Sequence, residues 1–229
     1  MGFIRTVALT GLFTLTGGVA GVGAKIAYGT NLVPLTKEDQ VFKTKLWKKF
    51  NPRENPALKD DCIKSVALDK IRPELRNDEA ALTLAFCKGV WSRWGFWPQS
   101  KLQDRYDHPE GTDNNLWYTS ELAKSDFKEG TRFSNHFEVV QNSGNEVVVR
   151  CGGSPLEPGL RKSDGLIWLS ARIDPESQHA VFHFKSALFS SGAPQGDGKT
   201  PHSVPPKITF LHEWYVRILT EAAMKDVKA

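Results

Sequence analysis

The hydrophobic pattern of the chain changes its period near Phe127, and this change limits the folds open to it. Before that point apolar residues recur at helical spacing, in a helix that Asn77 or Asp78 caps and that runs to about Trp94. After it, alternation with a period of two predicts strands, and a last helical pattern covers about residues 207–227. Because an antiparallel sheet with an apolar face needs a cover, we expect this last helix to lie on the sheet.

Five strands are predicted, one before the helices and four after them. They are Cys62–Leu68, Thr131–Gln141, Glu146–Cys151, Gly165–Ile173 and His179–Phe189. The expected fold class is therefore α+β, a curved antiparallel sheet packed on a long C-terminal helix in one domain of residues 61–229. The apolar stripe of that helix is expected to be Ile208, Leu211, Tyr215, Ile218 and Ala222.

The longest uncharged apolar stretch, Thr6–Ala24, lies near the start of the chain. Its 19 residues meet the minimum of about 18 for a helix that spans a membrane. We expect residues 1–28 to form one transmembrane helix, in which Gly17 and Gly21 permit close helix–helix association. A cleaved secretory signal, a mitochondrial presequence and myristoylation at the Met1–Thr6 pattern are the alternatives.

Residues 29–60 are rich in Asn, Pro and Lys and are expected to form a juxtamembrane linker. Within them, Lys43–Lys49 is a basic run suited to contact with anionic lipid headgroups. More basic residues follow the apolar stretch than precede it. The positive-inside rule then places the folded domain of a single-pass protein on the cytosolic or matrix side, at the endoplasmic reticulum or the mitochondrial inner membrane.

Composition and spacing exclude several classes of function. A net charge of +4 over 229 residues is too small to indicate a nucleic-acid partner, and three cysteines are no disulfide framework. The stretch Ala193–Thr200 fits a loose phosphate-loop pattern, but Pro201 prevents the helix that such a loop needs. His179 and His183 stand about 13 Å apart along a strand, too far to share a metal. We therefore expect neither a metal nor a cofactor.

Aromatic residues are dense at the end of the first long helix, in the strands and on the last helix. Aromatic walls with a few polar groups are typical of a pocket for an apolar ligand. The predicted partner is accordingly a hydrophobic small molecule. The candidate ligand-binding residues are Trp91, Phe137, Trp168, Phe184, Trp214 and Tyr215.

Polar residues at the middle of predicted strands are the candidate catalytic groups. His136 or His183 would act as a general base, and Arg150 and Lys185 would stabilise an enolate oxygen. Such a set suits proton transfer next to a carbonyl group without a cofactor. The alternative is that these side chains lie on a solvated outer face of the sheet. Cys151, which precedes two glycines, is a further candidate as a reactive thiol, although a thiol inert in the core is the other interpretation.

In its order of elements, the chain from about residue 61 to 227 resembles the helix-grip fold of START-type lipid-binding and polyketide-cyclase proteins. The resemblance implies a curved sheet that wraps around the last helix and encloses a cavity. A hot-dog thioesterase fold and a SnoaL-like cone are the alternatives.

Several short stretches also resemble an uncharacterised family of filamentous-fungal proteins that have a hydrophobic N-terminus and accompany secondary-metabolite genes. The stretches are Asp69–Leu75, Phe86–Trp91, His136–Val140, Val149–Leu156 and Asp164–Leu166. This resemblance implies an amphiphilic natural product as ligand and carries over no catalytic residue.

Together these patterns predict a membrane-anchored, cofactor-independent biosynthetic enzyme. It would be an isomerase, cyclase or dehydratase that acts on a polyketide- or terpenoid-like metabolite. The alternatives are a non-catalytic module that binds or transfers lipids, and an accessory subunit of a membrane complex.

Overall fold

The computed structural model of the protein describes residues 23, 26, 28–193 and 205–229. The predicted anchor, including Gly17 and Gly21, lies outside these residues except at Gly23, Ile26 and Tyr28, and so does most of the stretch that resembles a phosphate loop. Within the described part, no helix combines the length and the apolar character needed to cross a membrane.

Seven strands form one sheet in which every neighbouring pair is antiparallel. Their order across the sheet is β1-β2-β7-β6-β5-β4-β3, so the first long strand lies beside the last. In chain order they are β1 Asn31–Pro34, β2 Leu58–Ala67, β3 Arg132–Phe133, β4 Phe137–Asn142, β5 Val147–Gly152, β6 Asp164–Asp174 and β7 His179–Phe189.

The helices precede and follow the main run of strands. They are α1 Lys45–Phe50, α2 Glu79–Ser92, α3 Trp97–Tyr106, α4 Thr119–Leu122 and α5 Pro206–Val227, with short 3-10 turns at Gln40–Lys43, Leu68–Lys70 and Pro73–Leu75. As the sequence predicts, Asp78 caps α2, because its side chain accepts the backbone N–H of Ala81 at 2.9 Å. The α+β class, with an antiparallel sheet and a long C-terminal helix, is confirmed.

The sheet has two covered faces. We call the face that carries Phe182 and Phe184 the inner face, and α2 and α5 lie over it. The two helices touch closely, since a Cβ atom added to Gly89 would lie 2.6 Å from the carbonyl oxygen of Ala223. A glycine is therefore required at this helix crossing, and most of the buried apolar residues belong to this side of the sheet.

The segment 29–60 differs from the linker that its composition predicts. It supplies β1, α1 and the start of β2, and its Leu35, Val41 and Phe50 are buried against the outer face of the sheet. The sequence predicts a linker here because the apolar residues of the segment are few and stand among prolines and lysines. These few apolar residues suffice because the outer face presents only a small apolar patch around Trp168.

Two further local predictions are wrong in detail. The predicted strand Thr131–Gln141 is interrupted by a turn at residues 134–136, where Ser134 has a φ of 47°. Ala222 of the predicted α5 stripe is buried as expected, but the other buried side chains of this helix include His212, Val216 and Leu219, so the buried side is rotated from that stripe. This helix packs on the sheet and on α2, so its buried side is wider than its most apolar stripe.

Candidate ligand cavity

A small cavity of about 70 Å³ lies between the inner face of the sheet and the first half of α5. Its walls are almost entirely apolar, and Gln99, His212 and Tyr215 are the polar side chains among them. The apolar wall includes Trp91, Phe137, Ile167, Phe184, Leu188, Ile208, Val216 and Leu219. An apolar cavity of about 150 Å³ holds a benzene molecule, so this one fits a smaller apolar group.

Two of the polar groups of the cavity wall are hydrogen-bonded to each other. The Tyr215 hydroxyl donates a hydrogen bond to the side-chain oxygen of Gln99, and burial raises the pKa of this phenol. Burial, together with the negative charge of Asp164, also raises the pKa of the Cys151 thiol. Since the thiolate is the reactive form, Cys151 is an inert wall residue rather than a nucleophile.

A buried polar cluster of Asp60, Ser186 and His212 adjoins the cavity. The Ser186 hydroxyl donates to Asp60 Oδ1 at 2.9 Å, and His212 Nε2 lies 2.9 Å from Asp60 Oδ2 and 3.0 Å from Ser186 Oγ. All three residues are less than one tenth exposed. A serine–histidine–aspartate relay uses both ring nitrogens of the histidine, whereas here both partners meet Nε2. The cluster therefore lacks the geometry that activates a serine nucleophile.

Three of the four predicted catalytic residues lie on the outer face, away from the cavity. His183 Nδ1 is 2.8 Å from Asp61 Oδ2, and Lys185 Nζ is 3.6 Å from Asp39 Oδ1. Each of these groups is thus held by its own carboxylate, His183 by Asp61 on the neighbouring strand β2 and Lys185 by Asp39 in the segment that covers this face.

The third, Arg150, is buried in a bidentate pair with Asp164, at 2.8 and 2.6 Å. Its guanidinium also donates to the carbonyl of Gly159 and lies 4.3 Å from the centre of the Phe50 ring. The pair and the bond to Gly159 join β5 to β6 and to the loop before it, so Arg150 has a structural role here.

The fourth, His136, stands in the turn before β4 rather than in the middle of a strand. Its Nε2 lies 2.5 Å from Asp107 Oδ2, and its Nδ1 lies 2.6 Å from the carbonyl oxygen of Gly152. The structure therefore does not bring the two predicted bases and the two predicted cations together.

Four of the six predicted ligand-binding residues do meet at one place, since Trp91, Phe137, Phe184 and Tyr215 line the cavity. Trp168 instead packs on the outer face among the residues that α1 covers. Trp214 is half-buried on α5, with its ring 6.3 Å from that of Phe210.

Sequence reasoning missed Asp60, Ser186, His212 and Gln99. Asp60 lies within the expected linker. It is 126 residues from Ser186 along the chain, and the two residues meet only because β2 pairs with β7. One sequence pattern could have indicated that His212 faces the interior. His212 lies four residues from both Ile208 and Val216, and residues four apart share a face of a helix.

The outer face also carries an open cleft of about 470 Å³. It is lined by charges of both signs, with Lys49 and Arg150 against Glu129 and Glu138. No group of three histidine, cysteine or acidic side chains among the described residues is placed to hold a metal ion. Compared with known proteins, the chain matches no family model, no curated protein and no solved structure.

Proposed function

We propose that this protein binds a hydrophobic small molecule, such as a polyketide- or terpenoid-like metabolite or a lipid, in the cavity between the sheet and α5. The observation that carries this proposal is the apolar wall, in which Trp91, Phe137 and Phe184 converge on an unfilled space. Cores are normally packed without such spaces, because each unfilled volume costs stability. A cavity that is retained beside polar side chains is therefore a natural ligand site.

The volume limits how the ligand is held. Pockets for whole drug-sized molecules measure about 300–1,000 Å³, several times the volume of this cavity. The ligand would place a small apolar group here, or the first turns of α5 would move away from the sheet to admit more of it. Those turns carry Ile208 and His212, and they follow residues 194–204, which join β7 to α5.

The helix-grip resemblance belongs to the same proposal. Its support is the order of elements, with β2 beside β7 and the C-terminal helix laid over the inner face across the cavity. The membrane anchor formed by the apolar stretch Thr6–Ala24 is also part of it and rests on the sequence alone. A tethered binding domain of this kind would take its ligand from the bilayer or deliver it there.

Photocrosslinking tests the binding site in the full-length protein embedded in lipid nanodiscs. The probe is decanoic acid with a terminal diazirine, and crosslinked peptides are mapped by mass spectrometry. We expect crosslinks to α5, β5 and β7 that unlabelled decanoate suppresses. Ile208→Trp narrows the cavity and should reduce them several-fold, whereas the matched control Leu211→Trp, half-buried on the same helix but outside the cavity, should not. Equal crosslinking in both variants, or none in the wild type, would refute the site.

A cofactor-independent isomerase or cyclase is the second candidate function, and one observation favours it. His212 lines the cavity and is held by Asp60, so its ring could take a proton from a carbon next to a ligand carbonyl while the carboxylate stabilises the imidazolium. His212 thereby replaces His136 and His183 as the candidate base.

Proton exchange tests this second candidate. The protein is incubated with 2-decanone in deuterium oxide, and loss of the α-proton signal is followed by NMR. Wild type should accelerate the exchange, and His212→Gln should abolish the acceleration. The control His183→Gln, altered on the outer face, should retain it. Equal exchange rates with and without protein would exclude this chemistry for a simple ketone.

A further inference from the structure

The first turns of α5 carry two aromatic side chains on the side that faces away from the sheet. Phe210 is 59% exposed, and its ring meets that of the half-buried Trp214. Arg217 and Glu221 extend this row of residues, because positions 210, 214, 217 and 221 follow the i, i+4, i+7, i+11 spacing of one helix face. We call these four residues the α5 stripe.

The N-terminal part of the chain reaches the domain at the far end of the same stripe. Arg217 donates to the carbonyl of Thr30 at 2.7 Å. Lys64, which lies 2.6 Å from Glu221, also donates to the carbonyl of Gly29 at 2.8 Å. The entry point of the chain is therefore fixed on the α5 stripe by charged side chains of low exposure.

Chain length then sets how far this stripe can lie from the apolar segment. Six residues separate Ala24 from Thr30, a distance of at most about 20 Å even when fully extended. Along α5, Trp214 stands about 5 Å from Arg217, at 1.5 Å per residue. Tyr28, just before the entry point, is 92% exposed.

We infer that the end of the α5 stripe that carries Phe210 and Trp214 lies against the surface of a lipid bilayer, with Tyr28 and these two rings at the level of the headgroups. The inference rests on the proposed anchor in residues 6–24. Tyr and Trp rings favour the membrane interface, where an apolar body and a polar edge are both accommodated. An exposed phenylalanine on a helix gains stability there that it lacks in water.

This orientation places the ligand cavity at the membrane. The same first turns of α5 present Phe210 and Trp214 on one side and, through Ile208 and His212, form the cavity wall on the other. The first turns of α5 would then lie between the cavity and the bilayer. The basic side chains of α1 lie over the opposite face of the sheet, so the orientation does not use them for lipid contact.

Site-directed spin labelling of the full-length protein in phosphatidylcholine and phosphatidylserine vesicles tests the orientation. Single cysteines replace Phe210, Trp214, Tyr106 and Lys48 in turn and carry a nitroxide, while the three native cysteines are buried. Tyr106 is exposed at the end of α3, and Lys48 is exposed on α1. Collision rates are measured with oxygen, which concentrates in lipid, and with a water-soluble nickel complex.

The expected result is a several-fold higher ratio of oxygen to nickel collisions at Phe210→Cys and Trp214→Cys than at the other two sites. Four equal, water-like ratios would overturn the inference, and so would lipid contact at Lys48→Cys alone. Close nitroxide pairs between molecules at Phe210→Cys would assign the stripe to a second copy instead. Vesicles that float free of protein would overturn the anchor as well. None of these readings uses a ligand, so they are independent of the cavity proposal.

Discussion

His212 and Asp60 meet in the interior between α5 and β2, with His212 Nε2 2.9 Å from Asp60 Oδ2. This contact ties the first turns of the C-terminal helix to β2, the first long strand of the sheet. It also fixes the wall of the apolar cavity, because His212 is part of that wall. The polar cluster therefore fixes the position of the first turns of α5 at the cavity volume seen in this structure.

Removal of the carboxylate should be the most damaging change in this cluster. Asp60→Ala leaves His212 and Ser186 without their acceptor in the interior, so we expect a loss of about 3 kcal/mol in the free energy of unfolding. Ser186→Ala removes one neutral donor and should cost about 1 kcal/mol. Urea unfolding followed by circular dichroism measures both. Equal losses would show that Asp60 is not the centre of the cluster.

The crossing of α2 and α5 should not tolerate a methyl group. Gly89→Ala raises helix propensity by about 1 kcal/mol, but its Cβ atom would meet the backbone of Ala223. We expect a net loss of about 2 kcal/mol from overpacking, measured by thermal and urea unfolding. Because the clash is with backbone atoms, the double variant Gly89→Ala, Ala223→Gly should remain destabilised. If the double variant regained wild-type stability, the clash would instead be with the side chain of Ala223.

The half-buried carboxyl of Glu146 should make the free energy of unfolding depend on pH. Burial raises the pKa of this carboxyl in the folded state, so the folded protein holds the proton more tightly than the unfolded chain. Its contribution to stability is therefore complete below the unfolded pKa and falls as the pH rises through the folded pKa. Glu146→Gln should raise stability at neutral pH and leave it unchanged in acid. A gain that is equal at both pH values would contradict the assignment.

The three cysteine thiols should not react with thiol reagents until the protein unfolds. Cys62, Cys87 and Cys151 are buried, and burial raises the pKa of each one. We expect no rapid reaction with Ellman's reagent at pH 8 in buffer and complete reaction in guanidinium chloride. One thiol that reacts in buffer as fast as free cysteine would show that its surroundings open.

The sequence predicted those features that depend on local pattern. Helix α2 and its Asp78 cap, strands β5 to β7 and the final helix follow from periodicity and turn residues. The parity of β7 also placed His183 and Lys185 on one face. These signals need no knowledge of distant parts of the chain.

The rest depends on contacts that a local pattern does not contain. Helix α1 covers the outer face around Trp168, and this leaves the inner face to carry the cavity. The sequence did not reveal this, because α1 lies in a segment that has the composition of a linker. His136 lies in a turn rather than in the predicted strand, because the strand is interrupted where Ser134 adopts a left-handed conformation. The Asp60–Ser186 pair required the β2–β7 register.

Quenching of tryptophan fluorescence by 10-bromodecanoate tests ligand binding in the cavity most directly. Trp91 lines the cavity, whereas Trp168 is equally buried on the outer face, so Trp91→Phe and Trp168→Phe form a matched pair. Measured in the full-length protein, saturable quenching should be retained in Trp168→Phe and reduced in Trp91→Phe by the share that Trp91 contributes. Equal quenching in the two variants, or quenching that never saturates, would contradict the proposal that this cavity binds a hydrophobic ligand.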